Sequence, residues 1–434
     1  MSTLLNNFDV LKGHPPSYLK NASLLVRKGK IADIYPEDLP PDLDSDRVVE
    51  GEGKLLMPGL VDTHTHLGMT LFRGYSDDLP LKEWLEDWIW PAEEHLSRED
   101  IYWASLLGIS ELIRSGVTCF ADMYFHMDAV AEATEKAGIR ALLSSGIIAP
   151  SMKEGGEEEL DMALELARDW NGVNNDRIRV ALSPHALYTC GREVWDRVIE
   201  LAGERNLPIH THLAETEKDF EQSLQEYDLS PLQRLDSMGA LEADMIAAHC
   251  VHLGEGDFRL LSQSGTAVSH NPTSNMKLSS GIAPVTELHE SGVLIGLGTD
   301  GPASNNDLDM FEEMRLASFL GKVSTGDPTS LPDEDVFKMA TMDGANALGW
   351  EHLGVIEVGA RADLIAVDRN HPHLVPEYDP VSNIVYAAHT GDVKLVMVDG
   401  DLLMEDRNLK FIEENEVLEQ VRRRAKKYQK MRGS

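Results

Sequence analysis

Short β-rich segments recur along the middle of the chain, and amphipathic segments that favour helix stand between most of them, most clearly over 98–114 and 192–205. This alternation predicts parallel strands joined by crossover helices. Eight such units can close into a (β/α)8 barrel. The segments are GLVDTHTH (59–66), VTCFADM (117–123), RALLSSGII (140–148), RIRVALSPH (177–185), LPIHTHLAE (207–215), DMIAAHCVH (244–252), GTAVSHNP (265–272) and VLIGLGTD (293–300).

Polar side chains are concentrated at the C-terminal ends of these segments. Active sites of (β/α)8 barrels lie at that face, so the pattern supports the barrel. A doubly wound sheet would also explain the alternation, but it would not need polar residues at so many strand ends. The residues concerned are His64, His66, Asp122, His185, His212, Glu215, His249, His252, His270 and Asp300.

Both ends of the chain carry short alternating strands interrupted by Gly and Asp-Gly turns, which predict one small β-sandwich built from the two termini. We place residues 1–58 and 354–408 in the sandwich, 59–353 in the barrel and 409–434 in a C-terminal segment that is helical over 413–432. Basic residues collect late in that helix, where they complement the helix dipole.

Composition narrows the class of protein. The 434 residues are 42% hydrophobic, which suits a well-buried core. The formal charge of -35, from 74 acidic and 39 basic side chains, repels phosphate backbones and anionic membranes, so we expect neither as a partner. The opening MSTLLNNFDV lacks a basic region followed by an apolar one, and no apolar run of about 18 residues occurs. A cytoplasmic protein is the expectation.

The three cysteines, Cys119, Cys190 and Cys250, are widely spaced and odd in number. They define neither a disulfide framework nor a CxxC zinc site, and we expect buried, inert thiols. Their spacing also excludes the zinc deaminases that carry an HxE and PCxxC signature.

His64 and His66 stand one residue apart at the end of an apolar run. In a strand both side chains point to the same face, whereas Thr65 faces away. A hydrolytic zinc site takes about three N or O ligands and keeps a position open for water. His212 and Asp300, in the fifth and eighth segments, complete such a set. Each residue alone could be a hydrogen-bonded core residue, but four of them at barrel strand ends favour a metal site.

Glu215 follows His212 in the pattern HLAE and is the candidate proton carrier, because a carboxylate just beyond a ligand can reach the bound water without binding the metal. Zinc lowers the pKa of its water towards about 7 and so produces a nucleophile without a strong base. Asp300 would orient that water and share its proton. His249 could donate to the water or position it, and His252 in the same segment is the competing candidate.

Several runs of sequence resemble those of the amidohydrolase superfamily: MPGLVDTHTHLGMTLFRGYSDDLPLKEWL, HLAETE, AAHCVHL, VSHNPTSNMKLSSGIAPV and LGTDGPASNNDLDMFEEMRLA. The superfamily shares HxH and the terminal Asp, whereas HxxE and TDGxxSNN narrow the resemblance to its deaminase and chlorohydrolase branches. The chain is most similar to methylthioadenosine and S-adenosylhomocysteine deaminases, a branch that includes 5'-deoxyadenosine deaminases. The likeness covers almost the whole chain, and it implies a barrel of the metal-dependent hydrolase type with a split sandwich.

The resemblance implies hydrolytic deamination of an adenosine-type nucleoside to its inosine analogue and ammonia, with one divalent metal, Zn2+. It also implies a homo-oligomer such as a tetramer. The metal ligands it implies are His64, His66, His212 and Asp300, with Glu215 as the proton carrier and Glu93 and His185 at the substrate. We expect the catalytic residues to be Glu215, His249 and Asp300, and the substrate-binding residues to be Glu93, His185, Glu215, Asp300 and Ser304.

The role implied for Glu93 is to accept hydrogen bonds from the two ribose hydroxyls. The competing explanation is an ordinary acid at a helix start, since Glu94 is adjacent. His185 matches a histidine that contacts the substrate after strand four.

Two departures from the family pattern refine the expectation. The fourth segment, RIRVALSPHALY, has no lysine where binuclear relatives carry a carboxylated one, so we expect a single metal, which disfavours dihydroorotase-like and phosphotriesterase-like chemistry. After the third segment, IIAPSMKEGGEEELD offers Lys153 and a run of acids instead of the arginine expected of members that bind S-adenosylhomocysteine. A bidentate carboxylate clamp needs the geometry of arginine, which favours 5'-deoxyadenosine, methylthioadenosine and adenosine over S-adenosylhomocysteine.

Two alternatives stay open. The first is a guanine deaminase or a triazine-type amino- or chlorohydrolase of the same superfamily, for which a ribose-binding carboxylate at Glu93 would serve no purpose. The second is a non-enzymatic scaffold, which predicts erosion of the ligands or of the proton carrier, and the sequence retains all of them.

Overall fold

The computed structural model of the chain describes residues 2–13, 15–36, 39 and 43–432. Five strands come first along the chain. They are β1 (Ser2–Lys12), β2 (Ser17–Arg27), β3 (Lys30–Tyr35), β4 (Arg47–Glu50) and β5 (Lys54–Pro58).

Eight further strands form a closed barrel in which every hydrogen-bonded pair is parallel. Each overlaps one of the segments predicted from the sequence, so the predicted (β/α)8 barrel is confirmed. The strands are β6 (Leu60–Thr65), β7 (Val117–Tyr124), β8 (Arg140–Ile147), β9 (Ile178–Pro184), β10 (Ile209–Leu213), β11 (Met245–His249), β12 (Ala267–His270) and β13 (Ile295–Leu297).

Helices stand between the strands and around the barrel. The helix Arg98–Arg114 shows how the sequence sets their limits: Ser97 and Asp100 form a capping box at its start, and Gly116 turns the chain into β7 with a left-handed φ of 88°. The longer helices are Arg98–Arg114, Met127–Ala137, Gly156–Trp170, Arg192–Arg205, Glu217–Tyr227, Pro231–Ser237, Asp257–Ser264, Pro272–Lys277, Val285–Glu290, Met310–Thr325, Asp333–Lys338, Pro380–Tyr386 and Glu414–Arg432.

The strands of the two termini join in one sheet. Strands β14 (Leu364–Asp368), β15 (Val393–Val398), β16 (Asp401–Glu405) and β17 (Asn408–Leu409) complete a nine-stranded sheet, in which β5 pairs with β14. The unit is therefore assembled from both ends of the chain, as predicted.

This sheet encloses a core of its own. One set of alternating side chains, including Phe8, Leu24, Leu364 and Met397, forms a separate apolar cluster that draws on strands of both termini. The opposite set, which includes Ile365, joins the core that surrounds the barrel. Both faces of this single sheet therefore bury apolar side chains. The domain boundaries after residues 58, 353 and 408 stay a prediction.

The C-terminal helix Glu414–Arg432 packs on the helix Arg98–Arg114. Its Arg424 is 7% exposed, and Nε of this residue forms an ion pair with Oδ1 of Asp100 at 3.3 Å. The ring of Tyr428 packs edge-on against that of Phe72, with the ring centroids 5.1 Å apart. At least one of the basic residues attributed to the helix dipole therefore binds an acid at the start of a neighbouring helix.

Cys119, Cys190 and Cys250 are free and buried, as predicted. Among the described residues, no helix combines the length and the apolar character that a membrane crossing requires.

Candidate active site

The end of β6 and the turn after β13 bring three of the predicted metal ligands together. Nε2 of His64 lies 3.4 Å from Oδ1 of Asp300, and Nε2 of His66 lies 3.2 Å from the same oxygen. His212, from β10, places its Nε2 3.3 Å from Nε2 of His66. All four side chains are buried, and Thr65 points away to donate its hydroxyl to the Ala121 carbonyl.

The donor set fits a divalent cation. The candidate ligand atoms of His64, His66 and Asp300 all lie within 4.8 Å of one another, and those of His64, His212 and His249 form an overlapping group. Nε2 of His64 is buried and has no hydrogen-bond partner among the described residues, as expected of an atom that binds a metal.

The second nitrogen of each imidazole is held by the protein. Nδ1 of His64 lies 2.8 Å from Nε2 of His210, and Nδ1 of His66 and of His212 contact the backbone carbonyls of Met123 (2.5 Å) and His185 (2.9 Å). Contacts of this kind fix the ring orientation of metal-binding histidines and aim Nε2 at the metal. His210 was missed from the sequence, although it stands two residues before His212 in the same strand.

Asp300 is held in an uncommon backbone conformation. Its φ is 62°, in the left-handed region, while its N–H donates to the His64 carbonyl at 2.8 Å. Two residues earlier, a Cβ atom at Gly298 would lie only 2.5 Å from Oδ1 of Asn271. A glycine there lets the backbone pass close to the Asn271 side chain. Burial would raise the pKa of Asp300, but the imidazoles of His64 and His66 outweigh it and hold that pKa well below its usual range.

Two serine hydroxyls hydrogen-bond to Oδ2, the carboxylate oxygen of Asp300 that faces away from His64 and His66. Oγ of Ser274 donates to Oδ2 at 2.5 Å, and Oγ of Ser304 lies 2.9 Å from the same oxygen. The substrate contact expected of Ser304 stays a prediction, and the structure adds its contact with Asp300. Ser274 was missed from the sequence, although it lies in the HNPTSN segment that supports the resemblance.

Glu215 lies buried just after β10, where Ala214 adopts a left-handed φ of 49°. Its Oε1 accepts a hydrogen bond from Ser280 at 3.2 Å, and its Oε2 lies 3.9 Å from Nε2 of His249. Burial raises its pKa, which favours a carboxyl group that can hold a proton.

His249 and His252 take different positions. His249 points into the candidate metal group and donates from Nδ1 to Oδ1 of Asn275 at 2.9 Å. Nε2 of His252 instead contacts the backbone carbonyl of Ser280 at 2.7 Å. This geometry agrees with the preference for His249, whose catalytic role stays a prediction.

A cavity opens above this cluster, and its walls are mostly apolar. The lining residues are His66, Met69, Leu81, Trp84, Leu85, Trp90, Glu93, Met123, Tyr124, Phe125, Gly146, Ile148, His185, Tyr188, His212, Glu215, His249, Leu278, Asp300 and Ser304. The structure therefore brings every predicted site residue to one cavity or to its floor.

Glu93 faces the cavity from the end of a continuous helical run over 81–93. An acid at the start of a helix does not describe this position. Tyr124, the last residue of β7, donates its hydroxyl to Oε1 of Glu93 at 2.5 Å. Burial raises the pKa of Glu93 to about 7, although the bond from Tyr124 lowers it. The predicted strand stopped at Met123, one residue short of this contact.

His185 borders the cavity between β9 and the next helix. Its Nδ1 lies 3.0 Å from Oγ1 of Thr189, and burial lowers the pKa of its imidazole to about 3, so the ring is neutral at pH 7. Asp122 supports the turn after β6 instead, since its Oδ1 accepts from the Leu67 N–H at 2.8 Å and from Thr65.

A family model described as the amidohydrolase family matches residues 55–403. The chain is 45% identical over 425 residues to a 5-methylthioadenosine/S-adenosylhomocysteine deaminase of Dictyoglomus turgidum, covering 98% of each chain. It is 47% identical over 401 residues to a 5'-deoxyadenosine deaminase of Methanothermobacter thermautotrophicus, covering 92% of this chain and 93% of the relative. A crystal structure of an adenosine deaminase from Xanthomonas campestris with bound zinc superposes with a TM-score of 0.94 at 35% identity, covering 99% of this chain and 98% of that one.

The converging ligands predict that the purified protein binds about one equivalent of a divalent metal per chain. Replacing His66 by Ala should lower the metal content several-fold, because one of the protein ligands is lost. Metal analysis after dialysis measures the content. The matched control is His252→Ala, which removes a nearby imidazole that contacts a backbone carbonyl and should leave the content unchanged. Equal loss in both variants would contradict the assignment.

Proposed function

Because the chain belongs to the amidohydrolase family, we propose that it is a metal-dependent aminohydrolase that converts an adenosine-type nucleoside to its inosine analogue and ammonia. One observation carries the proposal: Glu93 and Glu215 line the same cavity as His66, His212 and Asp300. A carboxylate suited to ribose and a carboxylate suited to proton transfer are thereby placed around one substrate volume. The deaminases among its relatives support the same activity.

The metal in this proposal is a single divalent ion, Zn2+, held by His64, His66, His212 and Asp300. When bound, such an ion lowers the pKa of water and supplies a nucleophile near neutral pH. The zinc in the Xanthomonas campestris adenosine deaminase supports this choice. The fourth barrel strand, Ile178–Pro184, carries no lysine that could bridge a second ion.

Side chains of the protein carry out the proton transfers. Asp300 orients the attacking water and takes up its proton, while His249, fixed by Asn275, lies beside it. Water oxygen adds to C6 of the adenine as Glu215 delivers a proton to N1. The proton held by Asp300 then passes to the 6-amino group, and the C6–N bond breaks to release ammonia. The proton of the new C6 hydroxyl returns to Glu215 as the carbonyl forms, so both carboxyl groups regain their starting states. The buried position of Glu215 raises its pKa and so helps it to hold the proton that it transfers.

Glu93 would bind the two ribose hydroxyls, and the bond from Tyr124 fixes the orientation of its carboxylate. This role separates a nucleoside deaminase from the alternatives, because guanine and triazines have no ribose. Solved triazine hydrolases and a guanine deaminase are 22–23% identical to this chain, and their likeness shows the fold alone. A scaffold without activity is disfavoured, because the ligands and Glu215 remain assembled.

The cavity also suggests which nucleosides bind. Among its lining residues within the described chain there is no lysine or arginine. In the adjoining cavity of about 300 Å³, Arg192 is paired with Asp196 at 2.6 Å and Arg234 stacks over Tyr227 at 3.9 Å. We therefore favour 5'-deoxyadenosine, methylthioadenosine and adenosine over S-adenosylhomocysteine. A homotetramer and a cytoplasmic location stay part of the proposal, on the family resemblance.

Glu93→Gln should lower kcat/KM for 5'-deoxyadenosine by about 10-fold or more, because hydrogen bonds to a charged group are worth about 1.5–3 kcal/mol. Turnover of 2',3'-dideoxyadenosine, which lacks both hydroxyls, should change little. The exposed neighbour provides the control: Glu94→Gln should behave like the wild type. A Glu93→Gln enzyme that loses both substrates equally would count against ribose recognition.

The apolar lining predicts a kcat/KM for 5'-deoxyadenosine and methylthioadenosine that is about 10-fold or more above that for S-adenosylhomocysteine, since a carboxylate without a cationic partner is costly to desolvate. The methyl ester of S-adenosylhomocysteine keeps the bulk and removes the negative charge, so it should recover part of the difference. Steady-state kinetics on the four compounds decides. A higher kcat/KM for S-adenosylhomocysteine than for its methyl ester would contradict the prediction, because it would show that a cationic side chain reaches the carboxylate of the substrate.

A further inference from the structure

A short segment after β12 contacts two residues of the site. Within 271–275, Ser274 donates to Oδ2 of Asp300 at 2.5 Å, and Oδ1 of the next residue, Asn275, accepts from Nδ1 of His249 at 2.9 Å. Both side chains are almost fully buried. This segment therefore holds one hydrogen-bond partner for each of Asp300 and His249.

A second segment, after β13, acts on the same oxygen. Oγ of Ser304 lies 2.9 Å from Oδ2 of Asp300, and Ser304 is 3% exposed. Since the two serine hydroxyls meet at Oδ2, the carboxylate cannot rotate without losing hydrogen bonds to a buried charge. Oδ1 is thereby the oxygen left facing His64 and His66, at 3.4 and 3.2 Å.

One buried carboxyl group accepts a hydrogen bond from each of the two segments. Glu313, in the helix Met310–Thr325, is 0% exposed. Its Oε1 accepts from Nδ2 of Asn305 at 2.8 Å, and its Oε2 accepts from the backbone N–H of Thr273 at 3.2 Å. Thr273 precedes Ser274 and Asn305 follows Ser304, so each bond is made next to one of the two serines.

Glu313 is an unfavourable residue to place in a core. A buried carboxyl group is destabilising unless hydrogen bonds compensate it, and both bonds described for Glu313 come from neutral donors. An apolar residue would fill the same volume with a smaller loss of stability. What it would lack is the link between the two serine-bearing segments.

We propose that Glu313 is a positioning residue, which acts through Ser274 and Ser304 to hold Oδ2 of Asp300 so that Oδ1 stays directed at the metal. The proposal rests on the proposed function for its kinetic consequence, because Asp300 would orient the attacking water. Its consequence for metal binding is independent of which substrate the protein takes.

The test compares Ser274→Ala, Ser304→Ala, the double variant and Glu313→Gln after Co2+ has been loaded in place of the native metal. Each single serine variant should leave the other hydroxyl on Asp300 and weaken Co2+ binding only slightly. The double variant should weaken it by about 10-fold or more, from the loss of both hydrogen bonds to the charged Asp300 carboxylate. Glu313→Gln should weaken it in the same direction, because the amide has one acceptor oxygen for the two donors, Asn305 and the Thr273 N–H, and so releases one of the two segments. Their visible Co2+ absorption should shift, because the ligand field changes when Asp300 rotates.

Kinetics should separate positioning from substrate binding. For 5'-deoxyadenosine, kcat of the double variant should fall about 10-fold or more. Glu313→Gln removes no predicted substrate contact, so it should lower kcat while KM stays within about 2-fold, since an interaction with the reacting water is weakened and the ribose contacts remain. Ser110→Ala is the matched control: this buried hydroxyl donates to the Leu106 carbonyl at 2.6 Å and lies in the helix Arg98–Arg114.

An unaltered Co2+ spectrum and affinity in the double variant would overturn the proposal, and so would a loss of thermal stability without a change at the metal. If Glu313→Gln does not fold, the serine variants decide. If the wild type deaminates no adenosine derivative and the Co2+ spectrum still responds, the proposed function fails while the positioning role stands. If the wild type turns over its nucleoside and the spectrum does not respond, the positioning role fails while the proposed function stands.

Discussion

A backbone hydrogen bond between the first and last barrel strands is the constraint on which the site depends. The Asp300 N–H donates to the His64 carbonyl at 2.8 Å, just beyond the end of β13 and within β6. Residues at opposite ends of the barrel sequence meet only because the sheet closes. Closure places a carboxylate against two imidazoles in a buried volume, where their interaction is stronger than at the protein surface.

Several acids that support the site are buried, and burial disfavours the charged form of their carboxyl groups. Burial raises the pKa of Asp62 and Asp122 to about 7 and about 6, and the pKa of Glu313 lies well above its usual range. Asp62 accepts hydrogen bonds from Thr299 next to Asp300, Asp122 accepts from the Leu67 N–H just after His66, and Glu313 accepts from the Thr273 N–H beside Ser274. Each of these acids therefore supports a loop that carries part of the site. The left-handed backbone of Asp300 adds strain at the same place. The fold thus gives up stability where rigid placement of ligands is needed.

Much of this could be predicted from the chain. Eight apolar segments with polar ends fix the number and direction of the strands, and His64 and His66 follow from the alternation of side chains in a strand. Glu313, Ser274 and Tyr124 could not be found in that way, because each contacts the site through an element distant in sequence. Ser304 was predicted to bind the substrate, and its hydroxyl also contacts Asp300. Local patterns identify strand ends, whereas the contacts behind them depend on tertiary packing.

The most direct test of the central claim is ammonia release from 5'-deoxyadenosine by metal-replete protein, by protein stripped with a chelator, and by stripped protein after Zn2+ is restored. We expect release by the first, a loss of at least about 100-fold on stripping and recovery on reloading, since the nucleophile is generated by the metal. Full release by stripped protein whose metal content has been measured as negligible would contradict the claim.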